Sequence, residues 1–337
     1  MTILVVGDAN ADLSAALSRF PGEGDDAPMS ALSWSSGGSA ANAAVALALL
    51  GERPRLLARV GRDPAAEVAL RAARAAGADL GAIQTDDALA TGLCFAAVSP
   101  SGERTFFSYR GANAALAAPE PDPLAGARWL HVAGHALLEG RQRATSLALI
   151  DTAAARAIPI SLDICLPTLR AWPAETLALL PRLRVLFANE LELELLTAKD
   201  DQNAKGATIS DDLGDLGALA FGEPLDHAPA LVAIKLGPRG CLIAAGRRTW
   251  RAPAFAVDAV DTNGCGDAFV AGFLYAHLRA QPLDRCATLG NALGALAATR
   301  LGAAEALPER AAVRAFLSKH DQHDLAGLLA GDCTALR

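Results

Sequence analysis

The chain has 337 residues, 52% of them hydrophobic, which permits a substantial core and argues against disorder. As a length prior this is roughly two domains or one large α/β unit. Its formal charge of −7 comes from acids and bases that are scattered rather than blocked, so no nucleic-acid-binding surface is expected.

In chain order, the apolar runs predict a strand over Ile3–Val6, a helix over Ser39–Leu50, a strand over Leu56–Val60 and a helix over Pro64–Ala76. Strand Arg128–Val132, helix Arg141–Ala157 and strand Ile158–Asp163 follow, then strand Val185–Ala188 and helix Glu190–Leu196. Asp200–Asp215 is polar and reads as a surface loop. Strands Leu231–Leu236 and Cys241–Ala244 precede helices Asp267–Ala280, Leu283–Arg300 and Glu309–Lys319. Such alternation predicts a mostly parallel sheet covered by helices on both faces. Asp12–Ser35 and Thr91–Arg110 have few helix signals, and PSGE at 100–103 reads as a hairpin turn. These segments predict a small β lid, at about 12–35 and 91–110, on a single domain spanning 1–337. No run approaches the roughly eighteen apolar residues of a membrane span. The start, MTILVVGDAN, lacks a basic leader region and reads directly as a strand. The six cysteines contain no CxxC pair and read as reduced thiols of a cytoplasmic protein.

VDTNGCGDAFVAGFL, Val260–Leu274, carries the strongest chemical signal. Phe269, Val270, Phe273, Leu274 and Leu278 recur at helical steps, so a buried helix is expected to start near Asp267. Gly264 and Gly266, just upstream, leave the backbone free to converge N–H groups on an anion. Asp267 would then accept the proton of a hydroxyl as it attacks phosphorus. The alternative is an ordinary glycine turn with an acid in the first helical turn, where the helix dipole favours it anyway. Cys265 has no basic neighbour in sequence and reads as a residue chosen for size.

The other candidates divide in the same way. In GGSAAN, Gly37–Asn42, the glycines admit a ligand to the backbone and Asn42 offers a polyol both donor and acceptor; a plain helix cap by Ser39 is the alternative. Asp12, just past the first strand, either grips two sugar hydroxyls or is a solvated loop acid. Asn189 and Glu192 either suit a hydrated Mg²⁺ or cap their own helix. Lys235–Gly240, KLGPRG, either lines a nucleotide or turns the chain. His131 and His135 lack the acids of a metal site. His320 and His323 are expected to face solvent in a polar tail. No GxGxxG follows the first strand, so a Rossmann oxidoreductase rests on the alternation alone.

The order of the motifs says more than any one of them. DTNGCGD resembles the DTxGAGD signature of the ribokinase-like, PfkB-type carbohydrate kinases, and GGSAAN resembles that family's N-terminal GGxxxN. The resemblance continues through GDANAD, RVGRDPAAE, SGERTFFSYRGAN, ANELE, KLGPRG and NALGALAATRLGA, nearly the whole chain. It implies a ribokinase-like α/β fold whose β lid closes over the sugar and pairs in a homodimer. It implies an enzyme that moves the γ-phosphate of ATP to a sugar hydroxyl with Mg²⁺. Asp267 would be the base, and Gly264, Cys265 and Gly266 the anion hole. Asp12, Gly38 and Asn42 would hold the sugar, with Glu139 as a further contact. Asn189 and Glu192 would organise Mg²⁺ through water, Lys235, Gly237 and Gly240 would border the nucleotide, and Asn291 would approach the adenine. Some members bind a monovalent cation such as K⁺ at the equivalents of Asp261, Asn263, Ala297, Arg300 and Gly302. Here Asn263 stands where threonine is usual, and Cys265 where alanine is usual.

DICLPTLRAW, Asp163–Trp172, and SYRGAN each mix features of several branches of the family. An acid-sugar kinase of the ketodeoxygluconate type requires Arg110 and Arg170 to point into the cleft; otherwise a neutral sugar is favoured. A nucleoside kinase requires a more aromatic lid than Trp34, Phe95, Phe106, Phe107 and Tyr109 supply. A non-catalytic sugar-binding protein on the same fold would be expected to lack Asp267.

Overall fold

The computed structural model describes residues 2–101, 103–197 and 229–330. The predicted polar loop over 200–215 lies outside the described residues. The main sheet has eight strands in the order β14-β13-β12-β11-β10-β9-β1-β4. Six run parallel: β1 (Thr2–Val6), β4 (Pro54–Leu57), β9 (Ala127–Ala133), β10 (Ile160–Asp163), β11 (Val185–Asn189) and β12 (Leu231–Lys235). β13 (Cys241–Ala245) and β14 (Arg248–Ala252) close one edge antiparallel.

The parallel strands are nearly all apolar because both faces are covered. Ile3 and Val5 point into one core, and Leu4 and Val6 into the other. The first core receives α1 (Ser39–Leu49), α2 (Pro64–Ala76), α7 (Cys265–His277) and α8 (Leu283–Ala298). There Phe187 meets Phe269 and Phe273 edge-on, with ring centres 6.3 and 5.4 Å apart. The second core receives α3 (Gly140–Ala155), α4 (Leu166–Ala171), α5 (Pro173–Leu179) and α6 (Glu190–Thr197). Alanines dominate the buried face of α1, so the helix lies directly against α7.

A second sheet, β3-β2-β7-β8, stands over the carboxyl ends of the parallel strands. Its members are β2 (Asn10–Leu17), β3 (Met29–Gly37), β7 (Gly92–Val98) and β8 (Arg104–Tyr109). Alternation in β2 turns Asp12 and Ser14 to the cleft.

Several expectations need correction. The 56–60 run breaks between β4 and β5 (Arg59–Gly61), which pairs with an unforeseen β6 (Gln84–Asp86). β14 carries two arginines because it is an edge strand, where charge is tolerated. The helix expected from Asp267 begins at Cys265, because Gly264 in the left-handed region (φ 75°) serves as its cap. His320 is not in a solvated tail. It ends α9 (Arg310–Lys319), its ring 4.3 Å from Phe316 and its Nδ1 2.9 Å from the Phe316 carbonyl. No described helix is long and apolar enough to cross a membrane.

Candidate active site

Between the lid and the sheet lies a cleft of about 430 Å³, in the usual size range of small-molecule sites. Its floor is built where open α/β sheets bind ligands, just past the carboxyl ends of parallel strands. Asp8 after β1 and His135 after β9 line it, and Asp163, Asn189 and Lys235 end the neighbouring strands β10, β11 and β12.

Gly38 caps α1 with φ 92°, and a Cβ there would fall 2.4 Å from the Asp8 carbonyl oxygen. That close approach starts α1 directly over β1 and puts Asn42 one turn into the cleft. Asn42 Nδ2 donates to Asp267 Oδ2 at 2.8 Å, joining the two helix N-termini. Asn42 Oδ1 is buried without a hydrogen-bond partner, and so is Asp12 Oδ1 on the lid side. Buried acceptors left this way are uncommon and costly unless a ligand meets them.

Asp267 lies on the third residue of α7. Burial lifts its pKa to about 7, repulsion from Asp163 and Asp12 adds to this, and the Asn42 hydrogen bond and Lys235 oppose it. Burial, reinforced by Glu305, also lifts Asp12 to about 7. The Gly264 and Gly266 amides have no acceptor among the described residues, whereas the Cys265 amide closes a turn onto the Thr262 carbonyl at 3.3 Å. Two amides of the expected cradle are therefore available and the third is engaged. Burial, then Asp261, pushes the Cys265 thiol up to about 11, which keeps it protonated.

Lys235 Nζ sits 3.4 Å from where a Gly266 Cβ would be and donates to Asp163 Oδ1 at 2.6 Å. Burial opposes its charge, but Asp163 and Glu192 outweigh burial and raise its pKa, so the ammonium persists beside the cradle. Asn189 and Glu192 make a reciprocal cap: Asn189 N donates to Glu192 Oε2 at 2.7 Å, and Glu192 N donates to Asn189 Oδ1 at 2.8 Å. Burial lifts Glu192 to about 7. Gly237 and Gly240 form the turn between β12 and β13, with Leu236 N bonded to the Gly240 carbonyl. Asn291 Nδ2 donates to the Ala252 and Pro253 carbonyls at 3.1 and 3.0 Å, so its amide group fixes the chain after β14.

Three placements bear on the expected substrate contacts. Glu139 does not line the cleft; its carboxylate stands at the rim, 3.6 Å from Arg110 Nε. Arg110 lines the cleft but is committed to protein partners: it donates to the His135 carbonyl at 2.8 Å, to Asp8 Oδ1 at 3.0 Å and to Gln142 Oε1. Arg170 is exposed on α4. The residues expected to ring a monovalent cation are also engaged. Asp261 Oδ1 accepts from Asn263 N at 2.8 Å and Arg104 Nη1 at 2.6 Å, and Asp261 Oδ2 accepts from Gly302 N at 3.0 Å. The Ala297 carbonyl accepts from Arg300 N at 3.3 Å.

Asp8, Gln142 and Arg104 were not foreseen as site residues. Asp8 sits in the same GDANAD run as Asp12 and was open to choice. Gln142 and Arg104 carry no local signal, since their partners are 134 and 157 residues away.

A lidded α/β fold with a near-neutral carboxylate at an amide-rich helix start has the architecture of a small-molecule kinase. The chain belongs to the pfkB family of carbohydrate kinases, whose family model matches residues 2–310. It is a phosphotransferase that acts on a sugar hydroxyl. An ATP-dependent ribose-1-phosphate kinase of Halopiger xanaduensis is 32% identical over 94% of this chain and 98% of its own. An Arabidopsis thaliana ribokinase solved with ribose and ATP superposes with a TM-score of 0.77 at 22% identity, covering 94% and 98% of the two chains. An E. coli ribokinase II candidate solved with ATP and Mg²⁺ gives 0.77 at 20% identity, covering 95% and 99%. At those identities the two structures speak to the fold.

Proposed function

We propose that the protein transfers the γ-phosphate of ATP to a hydroxyl of a neutral sugar, working as one lidded domain. The observation that carries this is the pair of buried, unpartnered acceptors, Asp12 Oδ1 and Asn42 Oδ1, flanking Asp267. A polyol brings donors to both. With a hydroxyl seated there, its oxygen attacks the γ-phosphorus, the bond to the β-phosphate oxygen breaks and ADP leaves. The hydroxyl proton passes to Asp267. The Gly264 and Gly266 amides and the Lys235 ammonium face the charge that develops on the phosphoryl oxygens.

Among the described residues no three acids, histidines or cysteines cluster as a metal cage. The Asn189 and Glu192 oxygens, three residues apart at the end of β11, suit a Mg²⁺ that keeps most of its waters and leans on phosphate oxygens. Asn189 and Glu192 would hold it through water, and bound there it would neutralise phosphate charge. Asn291, with Gly237 and Gly240, would shape the adenine side.

A neutral sugar follows from Arg110 and Arg170. The first is paired with Asp8 and the second faces solvent, so neither offers a free cation to a substrate carboxylate. Asp8, Asp12 and Asp267 also make the cleft wall unfavourable to an anion. A sugar phosphate is the second reading, because Arg110 Nε is buried without a hydrogen-bond partner. ADP release across ribose, fructose, ketodeoxygluconate, ribose 1-phosphate and nucleosides separates these readings. We expect the highest kcat/KM on a neutral pentose or hexose. A preference for an anionic sugar that disappears in Arg110→Ala would overturn the neutral assignment.

The same reading includes a homodimer formed through the lid. Leu32, Trp34 and Phe107 are each 45–54% exposed there outside the cleft, a concentration of apolar surface that self-association would cover. It also includes a reducing, cytoplasmic setting, consistent with the unbridged cysteines among the described residues.

A further inference from the structure

Asp261 lies three residues before Gly264 on the loop that delivers the amide cradle, and it is only 4% exposed. A buried carboxylate needs compensation. Here three donors supply it: the Asn263 amide, the Gly302 amide and the Arg104 guanidinium, the last at 2.6 Å with its side chain 22% exposed. Arg104 opens β8, so the cation belongs to the lid, whereas Asp261 belongs to the cradle loop. The Asn263 amide, one residue before Gly264, donates to Asp261 Oδ1 at 2.8 Å, so the carboxylate is tied directly to the start of the cradle.

A monovalent cation requires several oxygens turned toward one vacant centre. At Asp261 the arrangement opposes this, because Arg104 already places a full positive charge 2.6 Å from Oδ1, and two backbone amides take up further acceptor capacity of the carboxylate. The Ala297 carbonyl accepts from Arg300 N, and the Ala298 carbonyl accepts from Val260 N and Asp261 N at 2.7 and 3.1 Å. K⁺ therefore does not fit this chain.

We propose that Arg104 is a built-in cation that takes the place of a bound monovalent ion beneath the phosphate cradle, and that the enzyme needs no such ion. Arg104 is a positioning residue: it acts through Asp261 on the cradle and touches no reacting atom. Being part of the lid, it also makes the charge balance of the cradle depend on where the lid stands.

The test uses the full-length enzyme with its best sugar and MgATP free of alkali cations, at fixed ionic strength in KCl, NaCl or choline chloride. Wild type is expected to run at the same rate in all three. Arg104→Ala should fall by about 10- to 100-fold in choline, the scale of a misplaced catalytic group, and recover severalfold in KCl. Arg104→Lys, which keeps the charge, should stay near wild type in choline. Melting of the ligand-free proteins gives a readout independent of turnover: KCl should raise the midpoint of Arg104→Ala relative to choline and leave wild type unmoved. Severalfold activation of wild type by K⁺, or a K⁺-specific rise in its melting point, overturns the proposal. So does Arg104→Ala turning over at the wild-type rate in choline. Should Arg104→Ala fail to fold, the two wild-type measurements still decide. A protein inactive on every sugar would contradict the substrate reading, and the wild-type melt would still test the ion.

Discussion

Asp267 is the proposed base, yet its surroundings make it a reluctant anion. Burial and the nearby carboxylates lift it to about 7, so turnover should rise with pH through about 7 and level off above it. Asp267→Asn keeps the oxygen that Asn42 donates to and should leave ATP binding intact while lowering kcat by ~10²–10⁴-fold. Single-turnover kinetics beside a nucleotide titration would check this, and unchanged kcat would remove Asp267 from the mechanism. The same shift has a stability sign. In the unfolded chain the group titrates near 3.8, so between about 4 and 7 the folded state holds the extra proton and stability falls as pH rises. Ligand-free Asp267→Asn should therefore melt above wild type at pH 8, with the gain shrinking steadily toward pH 4. Asp12 answers to a different ligand. Removing its carboxylate in Asp12→Ala should weaken sugar binding by roughly 1.5–3 kcal/mol and barely touch ATP. Calorimetry showing equal loss for both ligands would contradict that division. Both acids were legible in the sequence by their position after glycines or after a strand. Their raised pKa values were not, since these come first from burial and then from neighbours such as Asp163 and Glu305, all of which only folding supplies.

At the scale of elements, legibility followed local chemistry. α2 was bounded correctly from sequence because Asp63 caps Ala66 N, Pro64 fits the first turn and Gly77 ends the helix in the left-handed region. α7 was started two residues late because Gly264–Gly266 reads as loop; the cap is a backbone conformation without a side-chain signature. α4 and α5 are short pieces interrupted at Trp172 and were invisible to a periodicity argument. The NxxE element kept two readings open, and the structure shows the capping one while leaving its proposed Mg²⁺ duty to Glu192's other oxygen. Gly38 tests how far an element boundary controls chemistry. Gly38→Ala meets both φ 92° and the Asp8 carbonyl, so it should cost roughly 1–3 kcal/mol from the backbone strain alone. It should also shift Asn42, lowering kcat as well as the melting point. A variant as active and stable as wild type would show that the α1 start tolerates movement.

Across the whole molecule, what the sequence hid was long-range pairing. Asp8, Arg110 and Gln142 meet across separations of 102 and 134 residues, and no window of residues announces such a cluster. The lid, by contrast, was visible as two helix-poor segments, and its exposed side chains carry the assembly prediction. Trp34→Ser with Phe107→Ser should convert the proposed dimer to a monomer in light scattering; a wild-type monomer at micromolar concentration would refute the dimer. The docking of α1 on α7 has a further consequence, in time rather than space. The proposed sugar acceptors Asp12 and Asn42 lie within the first 42 residues, but the proposed base, to which Asn42 donates, arrives only at residue 267. A chain emerging from the ribosome through α6 already carries every proposed sugar ligand and has no means of spending ATP. Chemistry begins only when α7 seals the gap beside α1, so an unfinished copy of this enzyme is a silent one.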